Sequence, residues 1–211
     1  MKHQASAAAS PNLRDRLRVL TSQAILDAAE VVFATQGLQA ARMEDVAARA
    51  GVAVGTLYNY FKDRESLVAS LHAWRHQQMI ELFEQSLAAG EAQPFEAQLL
   101  GVVRPLLSHF DQHRAFFVVL MQSEAEVGRR ETMCVRRAAI LELRGCFERV
   151  VERGVASGAL RREDAEIFPS AIFAMMQCAM MQAHFSESAT PVADQAAALV
   201  RLFLDGARVR P

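Results

Sequence analysis

Apolar residues recur along this chain at helical intervals. Within 20–36, Ile25, Ala28, Ala29, Val32 and Phe33 stand at offsets 0, 3, 4, 7 and 8, which gathers them on one face of an amphipathic helix. Gly37 closes that run, as glycine commonly does just past a helix end. Two short helical runs follow, 43–50 and 54–60, separated by Gly51. Asp63 is placed to cap a longer helix that carries Leu67, Leu71 and Trp74. The pattern then dissolves into Ala-Ala-Gly-Glu-Ala-Gln-Pro over 88–94, a loop.

Beyond the loop the spacing predicts helices over 95–110, 114–125 and 129–153. The last of these turns Ile140, Leu143, Phe147 and Val150 to one face, with Gly154 as its stop. A further helix is expected over 164–184, kinked or restarted at Pro169, and a final one over 191–209 with Pro191 in its first turn. No alternating strand pattern and no internal repeat is present. The expected fold class is all-α with about nine helices.

Composition agrees. Of 211 residues, 52% are apolar and 22% charged, values of a globular chain with room for a core. Residues 1–17 read as a flexible tail without the hydrophobic stretch of a signal peptide. The most apolar segment, 167–181, is interrupted by Pro169 and Gln177 and is too short for a bilayer. The cytoplasm is therefore the expected location, and no membrane partner is expected. Cys134, Cys146 and Cys178 are odd in number and far apart, which suits reduced thiols rather than a disulfide frame or a zinc site. The net charge of −1 supplies no global attraction to nucleic acid. Residues 1–64 hold eight Lys/Arg against six Asp/Glu, a small local excess of positive charge.

The two short runs carry the functional signal. A helix-turn-helix crosses two helices steeply over a tight turn, and Ala47 and Gly51 supply small residues at the expected contact. Val46, Val52 and Leu57 form the apolar seam. Thr56, Tyr58, Asn59 and Tyr60 are left on or near the outer face, where hydroxyls and ring edges reach phosphates and thymine methyls.

An ordered series now stands in the sequence: Ile25-Leu-Asp-Ala-Ala, Phe33 with Gly37, Met43-Glu-Asp-Val-Ala, Ala50-Gly-Val, Gly55-Thr-Leu-Tyr-Asn-Tyr-Phe61 and Arg64-Glu-Ser-Leu67. It resembles the DNA-binding domain of the TetR family of transcriptional regulators. The resemblance implies a three-helix DNA-binding domain over 18–78, with its motif at 42–61, and a ligand-binding and dimerisation domain over 79–211. It implies phosphate contacts from Thr56, Tyr60 and Lys62, and a phosphate or base-edge contact from Tyr58. Arg42 stands where the family usually has Thr or Ser, so the side-chain cap is missing and Arg42 is expected to reach a phosphate instead. Ala53 replaces a usual Ser, forgoing a cap worth about 1 kcal/mol. Val54 replaces an often polar residue, which moves the burden of specificity to Gly55, Tyr58 and duplex shape.

The same resemblance implies a double-stranded operator, a homodimer joined through the last two helices, and a small-molecule effector. Two heads must then be held roughly 34 Å apart to read successive groove faces. Met176, Met180, Ala183, Ala196, Leu199 and Phe203 are the expected interface, small residues and methionine being suited to close helix packing. A hydrophobic or aromatic effector is expected among Trp74, Phe110, Phe116, Phe117, Met121, Met133, Phe168 and Met175, with Arg137 or Arg104 available for an acidic group.

Rival readings have weaker support. His72/His76 and His109/His113 have the i, i+4 spacing of a zinc pair, with Asp111 inside the second, so a metal-responsive regulator is the alternative. No Gly-rich phosphate loop, HExxH or nucleophile elbow is present, and neither an enzyme nor a cofactor is expected. The Met-rich helix could instead serve a protein partner.

Overall fold

The computed structural model describes residues 12–119, 130–186 and 190–207, with the side chains of 130–137 excepted. Among the described residues the fold is all-helical, without a strand. The elements are α1 (Leu13–Gln36), α2 (Met43–Ala50), α3 (Val54–Tyr60), α4 (Arg64–Ala89), α5 (Phe95–Gln112), α6 (helical over 114–119), α7 (Arg130–Ala156), α8 (Phe168–Phe185) and α9 (Ala196–Ala207). A short 3-10 turn, Val192–Gln195, leads into α9. The chain divides into two compact units, Met1–Leu71 and His72–Pro211. The division falls inside α4, seven residues before the 78/79 boundary expected from sequence.

In the first unit, Ile25, Ala29 and Phe33 of α1, Val46 and Ala47 of α2, Leu57 of α3, and Leu67 and Leu71 of α4 are all fully buried. Helix α1 begins earlier than its apolar period predicts, so 13–17 is helix rather than tail. The Asn12 side chain accepts a hydrogen bond from the Asp15 N–H at 2.9 Å and caps it. Residues 12–20 are exposed throughout; burial, and with it the readable pattern, starts only farther along.

The second unit packs α5, α7, α8 and α9 with the later turns of α4 around Phe83, Leu99, Leu107, Phe147, Leu160 and Leu204. Phe83 and Phe147 meet edge to face with centroids 5.3 Å apart, a favourable arrangement of ring quadrupoles. Gly154 is not the stop of α7. It lies within the helix, where a Cβ would come 2.6 Å from Cζ of Phe95 and 2.7 Å from Cδ1 of Leu160, so this position lets two neighbours approach the backbone. Helix α8 starts afresh at Phe168 with proline in its first turn, and 163–167 forms turns rather than helix. Asp111, at the end of α5, accepts hydrogen bonds from the Val192 and Ala193 N–H groups, both at 3.0 Å, and pairs with Arg114. Its carboxyl titrates below its ordinary value because those bonds outweigh the cost of burial.

Candidate nucleic-acid interface

Helices α2 and α3 are short and sparing in caps. Arg42 takes an extended conformation before α2 and Ala53 does so before α3; neither offers a side-chain cap. Both losses read from the sequence are therefore present. The turn itself depends on Gly51, whose φ of +70° and ψ of 28° lie in the left-handed region that side chains disfavour. Its N–H reaches the Ala47 and Ala48 carbonyls, and the next N–H, of Val52, bonds to Ala47 at 3.0 Å. The reason for Gly51 is this dihedral rather than helix crossing, since nothing lies within 4 Å of a Cβ built there. Ala47, the other small residue expected at the crossing, is fully buried.

Leu57 is fully buried and Phe61 nearly so, and together they fix the inner side of α3. Gly55, Tyr58 and Asn59 then face outward, with Tyr58 46% exposed. Thr56 and Tyr60 are half-buried on the flanks, and Tyr60 tilts against Phe61 with centroids 6.3 Å apart. Arg42 and Lys62 are exposed at either end of the motif. Gly55 has no packing role, for a Cβ there would meet nothing within 4 Å. The face therefore offers two tyrosines, a threonine, an amide and a cleared backbone patch.

The support beneath it comes from the start of α4. Asp63 and Ser66 cap each other: Ser66 N–H donates to Asp63 Oδ1 at 2.8 Å, and Asp63 N–H donates to Ser66 Oγ at 3.2 Å. The Ser66 hydrogen bonds, with a smaller contribution from the Lys62 charge, hold the Asp63 carboxyl below its usual range. Arg64 donates to the Ala41 and Gln39 carbonyls in the loop before α2.

Residues 25–71 match the model of the bacterial regulatory proteins of the tetR family. Over that segment the chain is similar to the tetR-family DNA-binding domain. It is 40% identical over 63 residues to the fatty acid metabolism regulator protein of Bacillus subtilis, a match spanning 30% of this chain and 32% of that relative. It is 25% identical over 144 residues to the transcriptional repressor KstR2 of Rhodococcus jostii, spanning 68% of this chain and 70% of the relative. The fold is shared with the crystal structure of FadR from Bacillus subtilis in complex with stearoyl-CoA. There the TM-score is 0.74 at 20% identity, over 87% of this chain and 98% of that one. The fold is accordingly that of the TetR-family regulators, with the helix-turn-helix unit at its N-terminal end.

In the second unit, the described ones among the expected effector residues lie mostly in aromatic contacts. Phe110 is buried and meets Phe117 edge to face at 5.2 Å; Phe117 also meets His184. Phe116 meets His72 and Phe168 meets Phe203 edge to face, and the Arg75 guanidinium covers Trp74 at 4.2 Å. Met175 borders a void of about 10 Å³ shared with Leu99, Val103, Ile172 and Leu199. Met121, Met133 and Arg137 lie outside the described side chains, and Arg104 is exposed on α5. A large concavity, about 690 Å³, is an open groove between α7 and the turn before α8, lined by Arg144, Glu148, Val151, Glu152, Arg162 and Glu166. None of the described effector residues expected from sequence borders it.

The residues expected at a subunit interface divide between core and surface. Met176, Ala196 and Phe203 are buried in the core of the unit itself, and Met180, Ala183 and Leu199 pack against that core. The apolar positions left outward are Ala174, Cys178, Phe185 and Leu202, the last two 74% and 65% exposed. Helix α8 is apolar on nearly every side, so the sequence could not say which side faced inward. The histidines gather no metal set: among the described residues no group of three or more His, Cys, Asp or Glu could hold an ion. His76 is bonded to Glu142 at 2.8 Å while His72 faces Phe116, and the His109 and His113 rings lie 4.5 Å apart. No helix of the described residues is long and apolar enough to cross a membrane.

Proposed function

We propose that this regulator is a repressor that binds a palindromic operator as a homodimer in the cytoplasm and is released by a small hydrophobic effector. The outward face of α3 carries the reading. Its exposed side chains have no structural task, and Gly55 clears the backbone for close approach to a groove. Thr56, Tyr60, Lys62 and Arg42 hold phosphates, while Tyr58, Asn59 and the Gly55 backbone meet base edges.

Dimerisation falls to Ala174, Cys178, Met181 and Phe185 of α8, spaced by 4, 3 and 4 residues, with Leu202 of α9 alongside. An exposed phenylalanine and leucine on adjacent helices favour this assignment. The effector class is supported by the apolar interior and by the stearoyl-CoA bound to the Bacillus subtilis FadR. A void of about 10 Å³ is far below the ~300 Å³ or more of an ordinary ligand site. Entry of an apolar chain must therefore repack Met175 and Met176, which border that void. A ligand that favours the repacked state weakens operator binding by the same coupling free energy, typically about 1–3 kcal/mol.

Genome-wide footprinting, followed by gel shift of the recovered duplex with and without long-chain acyl-CoA, tests the reading. Recovery of an inverted repeat that the ligand releases is expected. A protein that sediments as a monomer, or that binds no recovered duplex, would overturn it. Phe185→Glu with Leu202→Glu is expected to yield monomers that lose operator affinity.

A further inference from the structure

Helix α1 begins well before its unit begins to pack. From Leu13 to Ala24 no side chain is buried, and the first buried residue is Ile25. At 1.5 Å per residue these 12 positions extend about 18 Å, a capped helical arm without a core of its own. The arm bears Arg14, Arg16 and Arg18 against a single acid, Asp15. Among the described residues none of the three arginines is ion-paired. A helix this short is marginal in water by itself, so a partner that orders it would matter.

The sides of the arm are distinct. At 100° per residue, Arg14 and Arg18 fall within a sector of about 60° that also holds Ile25, Ala29 and Val32. Those three are buried in the unit that carries α2 and α3. The cationic side of the arm thus continues the side of α1 on which the helix-turn-helix packs. Leu13, Leu17 and Leu20, which are 72%, 54% and 60% exposed, lie roughly 110° away around the helix.

From this placement we infer a second DNA contact: the α1 arm lies along the duplex backbone, with Arg14 and Arg18 each neutralising a phosphate outside the segment read by α3. The inference rests on the DNA-binding reading above. Charge complementarity selects the partner, because exposed arginines on the packing side of a DNA-reading unit meet the phosphates of the duplex that unit holds. Such contacts add affinity and salt dependence without sequence preference. They would compensate for the few long donors on α3.

The test uses the full chain and a labelled random-sequence duplex of about three helical turns, followed by fluorescence anisotropy over a salt series. Each phosphate neutralised contributes roughly −0.9 to the slope of log affinity against log salt. The R14Q/R18Q variant is expected to flatten that slope by about 2 per protomer, and R14K/R18K is expected to restore it. The arm is outside the core, so thermal melting of these variants should match the parent. An unchanged slope in R14Q/R18Q, while Lys62→Gln still flattens it, overturns the inference and leaves the α3 reading standing. A parent chain that binds no duplex overturns both. The inference also fails if L13Q/L17Q/L20Q flattens the slope as much as the arginine pair does. It fails equally if phosphatidylserine vesicles bind the arm while the DNA slope ignores it.

Discussion

The Arg64 guanidinium donates to the Ala41 carbonyl at 2.7 Å, 23 positions earlier in the chain. A second bond, to Gln39 at 3.3 Å, comes from the other terminal nitrogen of the group. One side chain at the start of α4 thereby fixes the loop that delivers α2, whose own first residues lack a side-chain cap. Arg64→Met is expected to lower unfolding free energy by about 1.5–3 kcal/mol, the range for a hydrogen bond to a charged group. The urea midpoint checks this, and operator affinity should fall in the same variant because α2 positions α3.

Gly55 separates stability from binding. A methyl group there meets open space, and alanine is favoured over glycine within helices by up to about 1 kcal/mol. Gly55→Ala should therefore melt at or above the parent temperature yet bind its operator at least tenfold more weakly, as the methyl occupies the cleared patch. Equal affinity would show that the backbone at Gly55 does not approach the duplex.

How much of this was legible in the sequence differs between the two units. In the first, small two-turn helices, the Gly51 turn and the buried positions of α1 each leave a distinct mark, and the expected helices 43–50 and 54–60 coincide with α2 and α3. Asn12 was the missed signal, a cap with no apolar period behind it. In the second unit Met176 and Phe203 look, by residue type alone, as suited to a partner as to a core. Only the packing of α8 against α5, α7 and α9 distinguishes them. Gly154 misled for a similar reason: a glycine near a helix end suggests a stop, whereas a close tertiary contact leaves no local trace.

That contact makes a third prediction. Gly154→Ala places a methyl within 3 Å of both Phe95 and Leu160, in a part of the unit where both are buried. Overpacking of this kind costs typically about 1–3 kcal/mol. The variant should lose that much in a denaturant titration, while Gly145→Ala, nine residues earlier on the same helix with only a Glu148 oxygen near its would-be methyl at 3.9 Å, should lose nothing.

Acid sensitivity follows from His109. Burial first, then the neighbouring positive charges of His113 and Arg75, push its pKa down from 6.5 to about 4. The folded protein thus holds His109 neutral where the unfolded chain would already protonate it. Stability from this residue is complete above pH 6.5, is lost as pH falls towards 4, and changes no further below that. The carboxyls of Asp111 and Glu84, whose values are lowered, add their own losses only at the acid end of that range and below, so the interval just under pH 6.5 belongs to histidine. Melting temperature measured across that interval should fall more steeply for the parent than for His109→Gln, which has no proton to gain. Parallel profiles would place the titration elsewhere, and a proton NMR titration of the His109 ring would then give a value near 6.5 rather than near 4.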